Sequence, residues 1–398
     1  MTLLSGLRVL TVDQYGAGPY GGLHLADMGA DVIKIERPDG GDYARSIPPF
    51  TTPQADDSLF FQALNRNKRS VALDLSHPLG AAAFRRLATN ADAVLTNLRS
   101  DAARRLGLGY DALGDVNPAI VCAFLTGFGR QGPRADDGGF DYMLQAESGI
   151  MSLAGEPDGP PAKAGVSIID FTAGISSAMA LLAGVLSARE TGRGRDVDVS
   201  LQDTALSLLN YVATWQLTSG HETPRLANSA HPSLVPSQLF DCSDRPIIVM
   251  VNKEQFWPRL TRALGRPDWA DAPGRCNFVE RLENRERVIA DLQALFATDT
   301  AASWLQRLVE YGVPCGPVRT VREAFETPEY LRRTVSFSHP YFGQVRSPGP
   351  LVRTGTELVA RRGPSLGEHT DEVLASVAGM SSAEISQLKV AGVVGQGN

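Results

Sequence analysis

The sequence predicts an α/β protein built on a parallel sheet, with a smaller second domain in the same chain. Three observations carry this. Over the first 130 residues, short runs rich in Val, Ile and Leu alternate with helical patterns, the rhythm of βαβ units with buried parallel strands. A glycine-rich turn, Gly16-Ala17-Gly18-Pro19-Tyr20-Gly21, joins the first apolar run to the first helix. Near residue 239 the texture changes to one strand-like run followed by a succession of helical patterns.

Taken in order, GLRVLTVD (6–13) reads as a buried strand, GPYGGLHLADMG (18–29) as a helix and ADVIKIE (30–36) as a second strand. Beyond the loop 38–57 come the strand SVALDL (70–75), the helix LGAAAFRRLAT (79–89) and the strand ADAVLTN (91–97). The helix AARRLGL (102–108) and a strand within 117–129 repeat the pattern. Residues 130–166, rich in Gly, Pro and Asp, read as irregular loop. A long helix spans 172–192 and ends at Gly192, a residue suited to helix termination. Strand then helix follow over 193–217, and 221–238 reads as loop. PIIVMVN (246–252) and the helical patterns of 253–310 form the second domain; from 331 the chain reads as loop with one short helix around 371–378.

The 398 residues carry 38 Lys+Arg against 44 Asp+Glu, a net charge of −6, and are 43% hydrophobic. Such a balance supplies no whole-protein field for nucleic acid, so an anionic substrate must be held by a few placed cations. Cys122, Cys242, Cys276 and Cys315 show no metal-like pairing, which predicts neither a disulfide framework nor a bound metal. The opening MTLLSGLRVLTVDQYGAG lacks the basic start and apolar run of an export signal, and the apolar stretch 176–187 is short of a membrane span. A cytoplasmic protein without membrane partners is expected.

Gly16 to Gly21 is a literal GxGxxG between a strand and a helix, and Glu36 ends the next strand where a ribose-binding acid of a dinucleotide site would stand. A nicotinamide oxidoreductase is therefore one reading, and a tight turn with no ligand another. Pro19 lacks a backbone N–H for pyrophosphate, and Arg37 adds a cation after Glu36.

Nine segments taken together bear a wider likeness. They are AGPYGG (17–22) with LADMGADVIKIERP (25–38), LNRNKRSVALDL (64–75), TGFGRQGP (126–133), GFDYMLQAESGIMSLAGEPDGPP (139–161) and AGVSIIDFTAGISSAMALLAG (164–184). ETGRGRDVDVSLQDTAL (190–206), HPSLVPSQLF (231–240), YGVPCGPV (311–318) and PSLGEHTDEVL (364–374) complete the set. In this order the sequence resembles the family III coenzyme A transferases along nearly its whole length. The resemblance implies a Rossmann-like large domain formed by 1–225 and completed by 331–398, a smaller α/β domain over 226–330, and two subunits interlocked as an obligate homodimer.

By the same resemblance Asp170 is the nucleophile. At the start of a long helix, its carboxylate is expected to be held ionised by the helix dipole and free N–H groups. CoA and acyl-CoA enter as co-substrates, with no tightly bound cofactor. The matching CoA contacts are Gly16, Ala17, Arg37, Leu73, Asn97, Leu98, Arg105, Gly138, Phe140 and Asp141, while Lys68 and Arg69 are candidates to face phosphate. Gly16 replaces a glutamine and Gly138 a lysine found in some members, and HPSLVPSQ replaces a run of glycines. The departures at Gly16 and Gly138 each remove a side-chain contact and shift the expected acid away from formate and oxalate, and the third bears on intermediate protection and substrate fit. Arg45, Tyr142, Gln145 and His231 are candidates for the acyl end, and an Arg there favours a dicarboxylate such as succinate. The α-methylacyl-CoA racemases share the fold and need a His in a GHD motif; here the segment is Gly139-Phe140-Asp141, and Phe140 carries no proton. His231 is the remaining base for that reading.

Overall fold

The computed structural model describes residues 2–54, 56–353, 355 and 359–395. The chain forms two compact units, one of Met1–Ser148, Gly165–Leu208 and Arg332–Asn398, the other of Gly149–Ala164 and Leu209–Leu331.

The first unit holds β1 (Arg8–Val12), α1 (Ala17–Asp27), β2 (Asp31–Glu36), α2 (Leu59–Asn65), β3 (Arg69–Ala72), α3 (Pro78–Thr89) and β4 (Ala93–Thr96). α4 (Ser100–Arg105), α5 (Tyr110–Leu113), β5 (Val121–Thr126), α6 (Asp141–Glu147), α7 (Ile168–Thr191) and β6 (Arg195–Ser200) follow. The strands make one parallel sheet in the order β3-β2-β1-β4-β5-β6, which reverses direction of growth between β1 and β4. Alternate residues feed opposite faces. Val9, Val32 and Leu95 pack with Leu181 and Val185 of α7, while Leu10, Ile33 and Val94 pack with Phe84 and Leu87 of α3. Burial on both faces explains why these strands are continuous apolar runs.

α8 (Leu201–Ser219) consists of two helical runs that meet at Asn210, where φ is 39°. The change of unit at Leu208/Leu209 falls beside this break, rather than at the expected 225/226. The second unit carries the antiparallel sheet β7 (Ser237–Asp241), β8 (Pro246–Met250) and, after four helices, β9 (Cys315–Pro317). Those helices are α9 (Trp257–Ala263), α10 (Phe278–Glu283), α11 (Arg285–Phe296) and α12 (Ala301–Glu310), around a core of Phe240, Trp257, Phe296 and Trp304. Residues 149–164 join it through Arg225, whose guanidinium donates to Gly159 O at 2.7 Å. Two short helices, α13 (Val321–Glu326) and α14 (Pro328–Leu331), close this unit.

The described residues beyond 331 hold more secondary structure than the one short helix expected there. They form a hairpin, β10 (Thr334–His339) and β11 (Gly343–Pro348), and two helices, α15 (Thr370–Ser376) and α16 (Ser382–Val390). The start of α16 is a capping box between Ser381 and Glu384. Likewise α6 lies within the stretch read as irregular. α7, which contains the apolar stretch 176–187, is long and apolar enough to cross a membrane by length and composition. Nine of its residues are buried, and it packs on α1, β5 and β6 as a core helix.

Candidate active site

In open parallel sheets, ligands bind beyond the carboxyl ends of the strands where the strand order reverses. Here a cavity of about 270 Å³ lies at that place, walled by the loops after β1, β4 and β5. It collects Gly16, Ala17, Asn97, Leu98, Gly138, Phe140 and Asp170 from the predicted set. A second cavity, also about 270 Å³, sits over the ends of β1, β2 and β3 and is lined by Arg37, Leu73 and Leu98. Gln14 and Leu98 belong to both. Arg105 lines neither cavity; its exposed guanidinium pairs with Asp101 one turn back at 2.6 Å.

Asp170 stands in the first turn of α7. The loop after β1 runs against it, because a Cβ on Gly16 would lie 3.2 Å from Asp170 Oδ2. That loop is clamped twice. Asn97 Oδ1 accepts from Gln14 N at 2.9 Å and its Nδ2 donates to Gln14 O at 2.8 Å. Tyr15, held at φ 68°, donates its N–H to Asp42 Oδ1 at 2.8 Å. Asp42 in turn pairs with the buried Lys34, which also binds Asp13 at 2.6 Å. Burial alone would push the Lys34 ammonium down, but Asp13, Asp42 and Glu36 outweigh it and hold the lysine above its usual range. Asn97 thus braces the backbone with its amide, a role that the resemblance did not indicate.

Contrary to the sequence-based expectation, no backbone N–H among the described residues stabilises the Asp170 carboxylate, and its proton affinity is raised. Burial, reinforced by the nearby Asp141 carboxylate, pushes it up to about 7. Asp141 Oδ2 accepts the N–H groups of Ile169 at 2.7 Å and Asp170 at 3.0 Å, the donors that were expected to serve Asp170 itself. Asp141 Oδ1 accepts from Gln145 Nε2 at 2.6 Å, and both residues are buried. Asp141 and Gln145 are therefore buried and take no part in the cavity's lining. Tyr142 is half-exposed on α6 and is not in the cavity lining.

Arg45 is also reassigned. It is buried, binds Glu36 through two hydrogen bonds of 2.7 and 2.8 Å, stacks 3.8 Å over the Phe61 ring and donates to Pro364 O. Neither a substrate carboxylate nor solvent has access to it. Lys68 is buried as well, its Nζ donating to Pro19 O at 2.8 Å and Asn65 Oδ1 at 2.9 Å, so it faces no phosphate. Arg69 joins Asp31 and Glu372.

The same geometry removes the dinucleotide reading. Both Glu36 oxygens are engaged, Oε1 also accepting from Ser70 Oγ at 2.6 Å, which leaves no ribose acceptor. The glycines have packing duties. A Cβ on Gly21 would come within 2.6 Å of Gly174 O, and one on Gly174 within 2.5 Å of Ala17 O. His231 belongs to the second unit. Its Nδ1 accepts the N–H groups of Ser233 and Leu234 at 3.1 Å, and burial with Arg285 nearby lowers its proton affinity. Its Nε2 lies 3.2 Å from Tyr211 Oη. A charged residue that the sequence reading passed over, Arg99, lines the cavity opposite in sign to Asp170. Its adjacency to Leu98 was the available signal.

Comparison with known proteins gives a consistent result. The model of CoA-transferase family III matches residues 4–370. The chain is 36% identical to the succinate–glutarate CoA-transferase of Agrobacterium fabrum, covering 94% of this chain and 95% of that one. It is 32% identical to the succinyl-CoA:glutarate CoA-transferase of Mus musculus, covering 100% and 91%. Among solved structures it is similar to a CaiB/BaiF family protein from Brucella suis, with 33% identity, a TM-score of 0.80, and 94% and 99% of the two chains covered.

Proposed function

The chain belongs to CoA-transferase family III and moves coenzyme A between carboxylic acids, and we propose that Asp170 is its nucleophile and a dicarboxylyl-CoA such as succinyl-CoA its donor. The observation that carries this reading is the Asp170 carboxylate itself, placed in the switch-point cavity with no hydrogen-bond donor on it among the described residues. A carboxylate freed of donors and raised to about 7 is more basic than an ordinary aspartate and is still substantially ionised at neutral pH.

In the first step an Asp170 oxygen attacks the thioester carbonyl, and the C–S bond breaks to give a mixed anhydride and CoA thiolate. The thiolate attacks the aspartyl carbonyl, releasing the donor acid as its carboxylate and leaving an aspartyl–CoA thioester. The acceptor carboxylate then attacks that thioester, expelling the thiolate and forming a second anhydride. Thiolate attack on the acceptor's acyl carbon delivers the new acyl-CoA and restores Asp170. Activated acyl groups are exchanged at every stage, so no ATP enters.

The succinate and glutarate in the names of the relatives support a dicarboxylate, and Arg99 supplies a cation in the cavity for an anionic group. Arg37, exposed at the second cavity, suits a CoA phosphate. Met179 and Leu186 stay exposed on α7 in the single chain, which supports the interlocked homodimer that the resemblance implies. The unpaired cysteines accord with a reducing cytoplasm.

Asp170→Ala is expected to lower CoA exchange from succinyl-CoA by roughly 10³-fold or more while CoA still binds. Hydroxylamine added during turnover should leave a hydroxamate on Asp170, read by peptide mass spectrometry. Full turnover by the variant, or a label on another residue, would reassign the nucleophile. Acetyl-CoA accepted as readily as succinyl-CoA would remove the dicarboxylate assignment.

A further inference from the structure

α7 begins without a cap of its own, since the Ser167 side chain makes no capping hydrogen bond. The cap comes instead from another helix. Asp141, in the first turn of α6, directs Oδ2 at the N–H groups of both Ile169 and Asp170, at 2.7 and 3.0 Å. The Gln145 amide one turn along α6 fixes the other oxygen at 2.6 Å. Asp141 is 4% exposed, so this geometry is set by the protein and not by solvent. The N–H groups of Ile169 and Asp170 are the second and third of the helix, donors that the side chain of the residue before the helix, here Ser167, ordinarily accepts. Asp141 takes them instead, and donors bound to Asp141 are not free to turn toward the Asp170 carboxylate.

We propose that Asp141 is the positioning residue of the nucleophile: it takes the backbone donors at the start of α7, leaving the Asp170 carboxylate undonated and beside a fixed negative charge. The proposal rests on Asp170 being the nucleophile. Asp141 touches neither substrate nor cavity and acts only through Asp170.

Several ionisable groups lie around the start of α7. Asp141 and Tyr142 come from α6, Tyr20 and His24 from α1, Tyr15 from the loop after β1, Arg99 from the loop after β4, and Asp137 from the loop after β5. Asp141 is the charge among them that acts on Asp170, in the same direction as burial. Two acids close together separate in proton affinity, and here the neighbouring Asp141 adds to burial in raising that of Asp170. The gain matters because attack on a thioester strengthens with the basicity of the attacking oxygen, and ionisation near neutral pH keeps that oxygen available.

The test uses the full-length protein, succinyl-CoA as donor and glutarate as acceptor. In wild type, kcat/KM for succinyl-CoA should rise with pH through a limb near 7. Asp141→Asn keeps an acceptor for the backbone donors but removes the charge, so the limb should move at least one unit toward acid. At pH 8, kcat should fall several-fold with KM for succinyl-CoA unchanged. Asp141→Ser, a smaller neutral cap, should shift the limb in the same direction and serves if the asparagine variant does not fold. An unmoved limb in a folded variant overturns the proposal, as does a raised KM with kcat intact, which would return Asp141 to CoA binding. Asp170→Asn run in parallel separates the two levels: an inactive Asp170→Asn with an unmoved Asp141→Asn limb sinks only the positioning role, whereas an active Asp170→Asn sinks the nucleophile.

Discussion

A carboxyl group whose proton affinity is raised in the folded state is also a statement about stability. Below about pH 3, Asp170 is neutral whether the chain is folded or not, and no penalty exists. Between about pH 3 and 7 the unfolded chain releases this proton while the folded one retains it, so stability falls as pH rises. Above 7 the loss is complete, at most about 4 kcal/mol for a shift of roughly three pH units. Asp170→Asn is neutral throughout and should escape this loss. In urea titrations the variant is expected to be roughly 1–3 kcal/mol more stable than wild type at pH 8 and indistinguishable at about pH 3. An equal difference at both pH values would show that the effect is packing and not charge. The place of Asp170 in the cavity was legible in the sequence because a local motif, GVSIID at the start of a long helix, carries it. Arg45 and Asp141 were legible only as charges. What decides their roles lies far away in sequence: Pro364 and Glu36 for one, the backbone of residues 169 and 170 for the other. No pattern of spacing reports such pairings.

At the scale of elements, periodicity recovered the sheet well, since strands buried on both faces must be apolar runs and the helices between them must be amphipathic. Its failures share a cause. β10 and β11 alternate buried and exposed residues, with Phe337, His339, Val345 and Ser347 inward, but two of those four are polar and the alternation is invisible to hydrophobicity. His339 is inward because its Nε2 meets Asp57 Oδ2 at 3.0 Å. The glycine turn is the instructive case. GxGxxG read as a pattern invites a pyrophosphate; read against α7, the same residues allow two helices to approach backbone to backbone. Gly21 and Gly174 meet where any side chain would clash, and Gly16 leaves room for the Asp170 carboxylate. One motif thus answers two packing demands, helix against helix and loop against the Asp170 carboxylate, and the sequence alone does not separate these from phosphate binding.

At the scale of the molecule, the chain's last segment completes a core that begins at its first strand. Val373, Leu374, Ile385, Leu388, Val393 and Val394 are at most 7% exposed and pack in one cluster with Leu10, Ile33 and Val71. Backbone groups tie the same segment to β3 and the turn after it: Gly367 N donates to Ser70 Oγ, His369 N to Ser70 O and Asp74 N to Val393 O, each at 2.9 Å. Six buried aliphatic side chains at about 1.5–3 kcal/mol each contribute roughly 9–18 kcal/mol, which exceeds or matches the whole margin of about 5–15 kcal/mol typical of a folded domain. A chain ending at Arg362 removes all of them and exposes the face of the sheet that they cover. Such a truncation is expected to yield aggregated protein or a species without a cooperative urea transition, even though every residue of the Asp170 cavity is retained. A soluble truncated chain with a wild-type transition midpoint would mean that residues 363–395 dock on a unit already stable without them. Loss of activity alone would not decide between these outcomes; the unfolding curve does, because it reports the core and not the site.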